Sequence, residues 1–181
     1  MSKSWFDIQY LADAGPALIH TVEATDKRGS FSRLFCSNEL QKALSFQNLV
    51  QANLSVSTQR GTVRGLHFQK KPFEDAKILR CLSGSINDYL VDLRSDSAHL
   101  GKVYKINLSD RYDIAIFIPK GFAHGFQTLQ DDTKLMYFHD EVYNADSEAG
   151  ISIFSPDLSI ELDLPVSSIS NRDQMFPMYE S

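Results

Sequence analysis

An all-β fold, antiparallel and closed into a sandwich or barrel, is what the sequence predicts, on three observations. Short runs of alternating polarity, rich in β-branched and aromatic residues, recur along the chain. Gly, Asp, Ser and Asn separate them at close spacing. Long helical runs, which would supply the crossovers of a parallel sheet, are missing between them.

Taken in order, strands are expected over 17–24, 51–57, 63–69, 76–82, 86–94, 102–108, 113–118, 124–129 and 134–139. One helical segment stands among them: Asn38 is a suitable N-cap for the short run 39–44. Ser83-Gly84 and Ser109-Asp110-Arg111 read as turns, and Pro119 and Gly121 mark another before the strand that carries His124. In 51–57 the polar residues Gln51, Asn53, Ser55 and Ser57 alternate with Ala52, Leu54 and Val56, so one face suits a wet pocket.

Composition bounds the function. The chain has 181 residues, with 18 Lys and Arg against 23 Asp and Glu and a formal net charge of −5. One domain spanning 1–181 is expected. Net acidity argues against nucleic acid as a partner, because phosphate-backbone binding needs clustered cations. The first residues carry no signal-peptide apolar region, and the longest apolar run is the five residues 114–118, so a cytoplasmic protein without a membrane partner is expected. Cys36 and Cys81 lack metal-ligand spacing and are expected as buried free thiols.

Two segments suggest chemistry. In Val63-Arg-Gly-Leu-His-Phe-Gln69, a bulge at Gly65 would turn both Arg64 and His67 inward, giving one pocket a basic anchor and a base. A surface Arg beside a structural His fits the same segment. In Pro119-Lys-Gly-Phe-Ala-His-Gly-Phe126, His124 shares a strand face with Phe122 and Phe126. That leaves open a hydrogen-bonded core residue and a residue that orients a neighbour. The PxGxxH pattern is similar to the second motif of the cupin barrels. Metal-binding cupins supply an HxH pair, however, and here Gln69 stands in the second His position, so a metal-free barrel is expected.

These segments, with Asp26-Lys-Arg-Gly-Ser-Phe31, Gln51-Ala-Asn-Leu-Ser-Val-Ser57, Lys77-Ile-Leu-Arg80, Val91-Asp-Leu-Arg94 and Ser170-Asn-Arg-Asp173, resemble the dTDP-4-dehydrorhamnose 3,5-epimerase family in the right order from about residue 17 to 177. The resemblance implies a homodimeric, metal-free cupin jelly roll with a few short helices and no cofactor. It would act on a nucleoside-diphosphate 4-keto-6-deoxyhexose in deoxysugar or surface-polysaccharide biosynthesis, at C3, C5 or both. By motif position His67 matches the general base, Asp173 its carboxylate partner, Tyr137 the proton donor and Lys77 the residue near the keto oxygen. Arg28, Phe31, Arg33, Gln51, Asn53, Arg64, His124, Tyr143, Glu148 and Arg172 match substrate contacts, Tyr143 at a base-stacking position.

The chemistry explains the set. A C–H beside a ketone is acidic because its anion delocalises as an enolate, so a base is needed near that hydrogen and positive charge near the oxygen. Inversion then needs a proton on the opposite face. The sequence departs from the family at Arg33, where a Glu is usual, and at 153–157 and 160–165, where tryptophan-containing segments are usual. A 3,4-ketoisomerase of the same barrel, a non-catalytic sugar-nucleotide binding module and a metal-dependent cupin oxygenase are the rival functions.

Overall fold

Residues 4–180 are described in a computed structural model of the chain. Among the described residues there are thirteen strands: β1 Phe6–Tyr10, β2 Ala17–Thr21, β3 Glu23–Asp26, β4 Gly29–Ser32, β5 Gln51–Ser57, β6 Val63–Gln69, β7 Lys77–Ser83, β8 Ser85–Asp92, β9 Val103–Ser109, β10 Ile114–Ile118, β11 Phe122–Thr128, β12 Thr133–His139 and β13 Glu148–Gly150. Helices α1, Ser37–Ala43, and α2, Asn171–Gln174, are short, as is a 3₁₀ turn at Pro156–Leu158. A six-stranded sheet, ordered β1-β2-β10-β7-β12-β5, faces a five-stranded one, ordered β13-β6-β11-β8-β9, and every pairing in both is antiparallel. This is the expected all-β sandwich, with β3 and β4 forming a separate hairpin.

Three apolar layers hold it together. Between the sheets, Leu79, Cys81, Leu90, Ile116, Phe122, Phe126 and Leu135 interdigitate, each from the inward positions of an alternating strand. Burial pushes the Cys81 thiol up to about 11, as suits an inert core cysteine. Outside the six-stranded sheet, Leu40 and Leu44 of the α1 region join Phe46 over Ile19, Ile78 and Phe117. Outside the five-stranded sheet, Ile151, Ile153 and Leu158 cover Val63, Leu66, Tyr89 and Val91. The irregular chain after β13 thus covers the third core, a role that its weak periodicity does not announce.

Local corrections follow from hydrogen bonding. Helix α1 begins at Ser37 after Cys36, and Cys36 makes no side-chain cap, so Asn38 lies inside the helix instead of capping it. The expected strand 17–24 is two, because β2 pairs with β1 and β10 while β3 leaves the sheet to pair with β4. Strands β1, β4 and β13 and helix α2 went unforeseen.

One packing feature positions the site. Between β6 and β11, His67 pairs with His124 but Arg64 pairs with Phe126, so Gly65 and Leu66 together oppose Gly125. Gly65 has φ +110°, and a Cβ there would lie 2.6 Å from the Cα of Gly125. Only glycine fits that close approach. Replacement Gly65→Ala is expected to cost at least about 2 kcal/mol through backbone strain and overpacking. Urea unfolding checks this, and an unchanged midpoint would contradict it.

Candidate active site

A cavity of about 300 Å³ opens between the sheets, a size at the lower end of small-molecule sites. One wall is built by β6 and β11, the other by β5, β7 and β12. Because the bulge adds one residue, Arg64 before it and His67 after it both face the cavity, while Val63 and Leu66 face the outer core.

His67 is held from behind. Its Nε2 lies 2.9 Å from Asp173 Oδ1, and the backbone N–H of Gly65 donates to Oδ2 of the same carboxylate at 2.9 Å. Asp173 is 3% exposed, in α2, whose start is capped where the Asp173 N–H donates to Ser170 Oγ at 3.0 Å. Burial acts to raise the Asp173 carboxyl, but the bonds from His67 and Gly65 outweigh it and hold the group well below the usual carboxylate range. An ionised Asp173 can only accept, and its contact with Nε2 at 2.9 Å is shorter than that of Arg172 Nη2 at 3.3 Å, so Nε2 carries a proton and Nδ1 is the basic nitrogen of the neutral ring.

The facing wall carries Lys77 and Tyr137. Both sit at inward positions, Lys77 opposite His139 and Tyr137 opposite Asn53. Lys77 is 8% exposed, with Nζ 3.6 Å from Asp75 Oδ2, an unusual burial for an ammonium and one that needs this partner. Burial, then the Asp88 charge, pushes the Tyr137 phenol up, so it stays protonated and able to donate. Its ring lies edge-on to His124 at 6.1 Å. His124 Nε2 pairs with the fully buried Asp88 at 2.7 Å, and His124 also lines the cavity. His124 is thus a hydrogen-bonded interior residue whose ring packs edge-on to Tyr137.

At the rim, Glu148 accepts from the Tyr143 hydroxyl at 2.8 Å and from Arg172 Nη1 at 2.7 Å. Gln51 Oε1 accepts from the Tyr143 N–H at 3.1 Å. Arg64 donates to Ser57 Oγ at 3.3 Å and to the Val56 carbonyl at 3.2 Å. Gln69 is used up structurally, bonding to the backbones of Phe73, Val142 and Asn144. Among the described residues no group of three or more His, Cys, Asp or Glu is placed to hold a metal ion.

Three expected contacts lie elsewhere. Arg28 pairs with Asp26 at 2.6 Å on the exposed β3–β4 hairpin, and Phe31 on the same hairpin is 63% exposed against Trp5. Arg33 pairs with Glu39 at 3.0 Å and lies over the Trp5 ring, so its unusual charge is neutralised within its own chain. None of the three lines the cavity. Conversely, sequence reasoning passed over Asp75, Asp88 and His139. The alternation of β12 carried the signal for His139, two positions beyond Tyr137 and hence on the same face.

A family model described as dTDP-4-dehydrorhamnose 3,5-epimerase matches residues 12–181. The chain belongs to that family. It is 40% identical to the dTDP-4-dehydrorhamnose 3,5-epimerase of Sinorhizobium fredii over 152 residues, 84% of this chain and 78% of that protein. A crystal structure of dTDP-4-dehydrorhamnose 3,5-epimerase from Elizabethkingia anophelis superposes with a TM-score of 0.91 at 31% identity, covering 97% of each chain. ChmJ, a 3'-monoepimerase from Streptomyces bikiniensis solved with dTDP-quinovose, superposes with a TM-score of 0.84 at 28% identity, covering 91% of this chain and 83% of its own. The architecture is therefore that of the cupin-fold epimerases of this family.

The depressed Asp173 carboxyl has a pH signature. In the unfolded chain it takes up a proton near its ordinary value of 3.8, while in the folded chain it stays ionised to lower pH. Its stabilising contribution is therefore complete above about pH 5 and is lost as pH falls below about 4. Asp173→Asn should show a shallower decline in stability than wild type between about pH 5 and pH 2. Urea midpoints across that range check it; equal slopes would contradict it.

Proposed function

We propose that this chain epimerises a dTDP-linked 4-keto-6-deoxyhexose at C3, C5 or both, through the enolate of its own 4-keto group, in deoxysugar or surface-polysaccharide biosynthesis. The observation that carries the proposal is the division of labour between the walls: a carboxylate-backed imidazole on one sheet, a half-buried neutral phenol and a buried ammonium on the other. His67 Nδ1 takes the proton beside the carbonyl, and Asp173 stabilises the imidazolium that forms. Lys77 stabilises charge growing on the keto oxygen, worth several kcal/mol in a dry site. Tyr137 returns a proton to the opposite face, which inverts the carbon. Arg64, Gln51, Asn53, Tyr143, Glu148 and Arg172 hold the nucleotide end, Arg being suited to diphosphate.

The proposal extends to assembly and place. Strand β5 ends its sheet, and Leu54 and Val56 on its outward side are 60% and 45% exposed. A homodimer covering this side and the exposed hairpin would protect the apolar surface, and Arg28, Phe31 and Arg33 would act within that assembly. No described helix is long and apolar enough to cross a membrane, and both thiols are free, which suits a reducing cytoplasm.

The test is to incubate the protein with dTDP-4-keto-6-deoxyglucose in deuterated water and follow C3 and C5 by NMR. Deuterium at one or both carbons with inversion is expected; a displaced carbonyl would make the protein a ketoisomerase, and no exchange would refute catalysis on this substrate. His67→Asn, which keeps hydrogen bonding but removes the base, should slow exchange by about 10²-fold or more. Tyr137→Phe should separate the two half-reactions, retaining His67-dependent exchange while losing epimer. Unaltered epimer formation by that variant would assign the donor elsewhere.

A further inference from the structure

The proton-transfer scheme leaves two His–carboxylate pairs unused, His124–Asp88 and His139–Asp75, and of these only the second has both members in the cavity lining. His139 Nδ1 lies 2.9 Å from Asp75 Oδ2, and its Nε2 lies 3.3 Å from Asn53 Nδ2. All three residues line the cavity, and strand pairing fixes the arrangement: His139 is opposite Lys77 on one side and Gln51 on the other, and Asn53 is two residues along from Gln51.

The roles in this chain of bonds are determined by its first member. Burial would favour protonated Asp75, but the bond from His139 and the Lys77 charge outweigh it and keep the carboxyl below its ordinary range. A carboxylate only accepts, so the proton of the neutral ring sits on Nδ1 and Nε2 is left with a lone pair. An amide facing that lone pair must offer its N–H, so the Asn53 side chain turns its nitrogen to His139. Its Oδ1 then has no protein donor among the described residues. Gln51 is oriented the opposite way, because its Oε1 is occupied by the Tyr143 N–H and its Nε2 has no partner among the described residues. Strand β5 thus displays a donor and then an acceptor on one face.

Resting on the nucleotide-sugar reading above, we propose that Asp75 and His139 form a specificity-determining relay that locks the Asn53 carboxamide with its oxygen free, so that the pocket accepts a hydrogen bond from a hydroxyl or N–H of the nucleotide sugar. His139 is a positioning residue here, since it acts through Asn53. Asn53 is exposed in the unliganded protein, but a ligand that covers it and presents an acceptor at that point sets a lone pair against a lone pair with water excluded, and is disfavoured.

A purely packing role for His139 makes a different forecast, because its ring stacks on Tyr137 at 6.0 Å with 16° between planes. His139→Phe keeps bulk and stacking but removes the acceptor. His139→Gln removes the ring but can accept from Asn53 at the position of Nε2. The relay predicts that His139→Phe raises KM for the keto-sugar on the order of tenfold, with kcat changed by less than about threefold, and that His139→Gln restores KM. A wild-type KM for Phe with an impaired Gln variant would overturn it. In the unliganded wild-type protein, long-range ¹H–¹⁵N NMR should find His139 as the Nδ1–H tautomer with a bare Nε2. The Nε2–H tautomer would overturn the relay outright. Because that measurement needs no turnover, wild-type protein that fails to epimerise would refute the epimerase reading and leave the relay to be decided by the tautomer.

Discussion

Two glycines, Gly65 and Gly125, bring strands β6 and β11 closer than any side chain would permit, and the register change between them puts Arg64 and His67 on one wall of the cavity. Without the extra residue, strict alternation would send one of the two into the outer core beside Leu66. The same bulge leaves the Gly65 N–H free of the ladder to donate to Asp173, so the strand irregularity and the carboxylate behind His67 form one construction.

The rest of the site follows from the sandwich. Two facing sheets allow groups of opposite function to approach a substrate from opposite sides, which a single surface cannot do. His67 and His124 stand on one sheet, and Lys77, Tyr137 and His139 on the other. Each imidazole has its own carboxylate, Asp173, Asp88 or Asp75, and these come from α2, β8 and the loop before β7. The carboxylates differ in what they do. Asp173 backs His67, the base of the proposed scheme, Asp88 holds an interior ring beside Tyr137, and Asp75 is shared between a ring and Lys77.

Legibility in the sequence tracked locality. Strand β6 was read to the residue because its alternation and its glycine are contiguous, and the polar side of β5 was read because Gln51, Asn53 and Ser55 recur at period two. Tyr137 and His67 were named from motifs. What escaped was either non-local or weakly periodic. Asp88 lies within an apolar strand and gains meaning only from His124, which is 36 residues away. The C-terminal stretch lacks periodicity because it covers a sheet as irregular chain, so its apolar residues gave no warning of the third core. The helix cap failed for a related reason: Asn38 fits the rule for caps, but the packing of Leu40 and Leu44 beneath α1 selects an earlier start. Arg28, Phe31 and Arg33 were matched by motif alone, and motif order does not say on which side of a hairpin a residue ends.

The central claim is that one sugar ring is held between an imidazole and a phenol that address its opposite faces. A crystal structure of the protein with a bound dTDP-4-keto-sugar, or a non-reacting dTDP-hexose, tests it most directly. The account predicts His67 Nδ1 against one face at the carbon beside C4, Tyr137 Oη against the other, and Lys77 Nζ within hydrogen-bond reach of the C4 oxygen. A ring with His67 and Tyr137 on the same face, or a sugar seated away from the cavity, would contradict it.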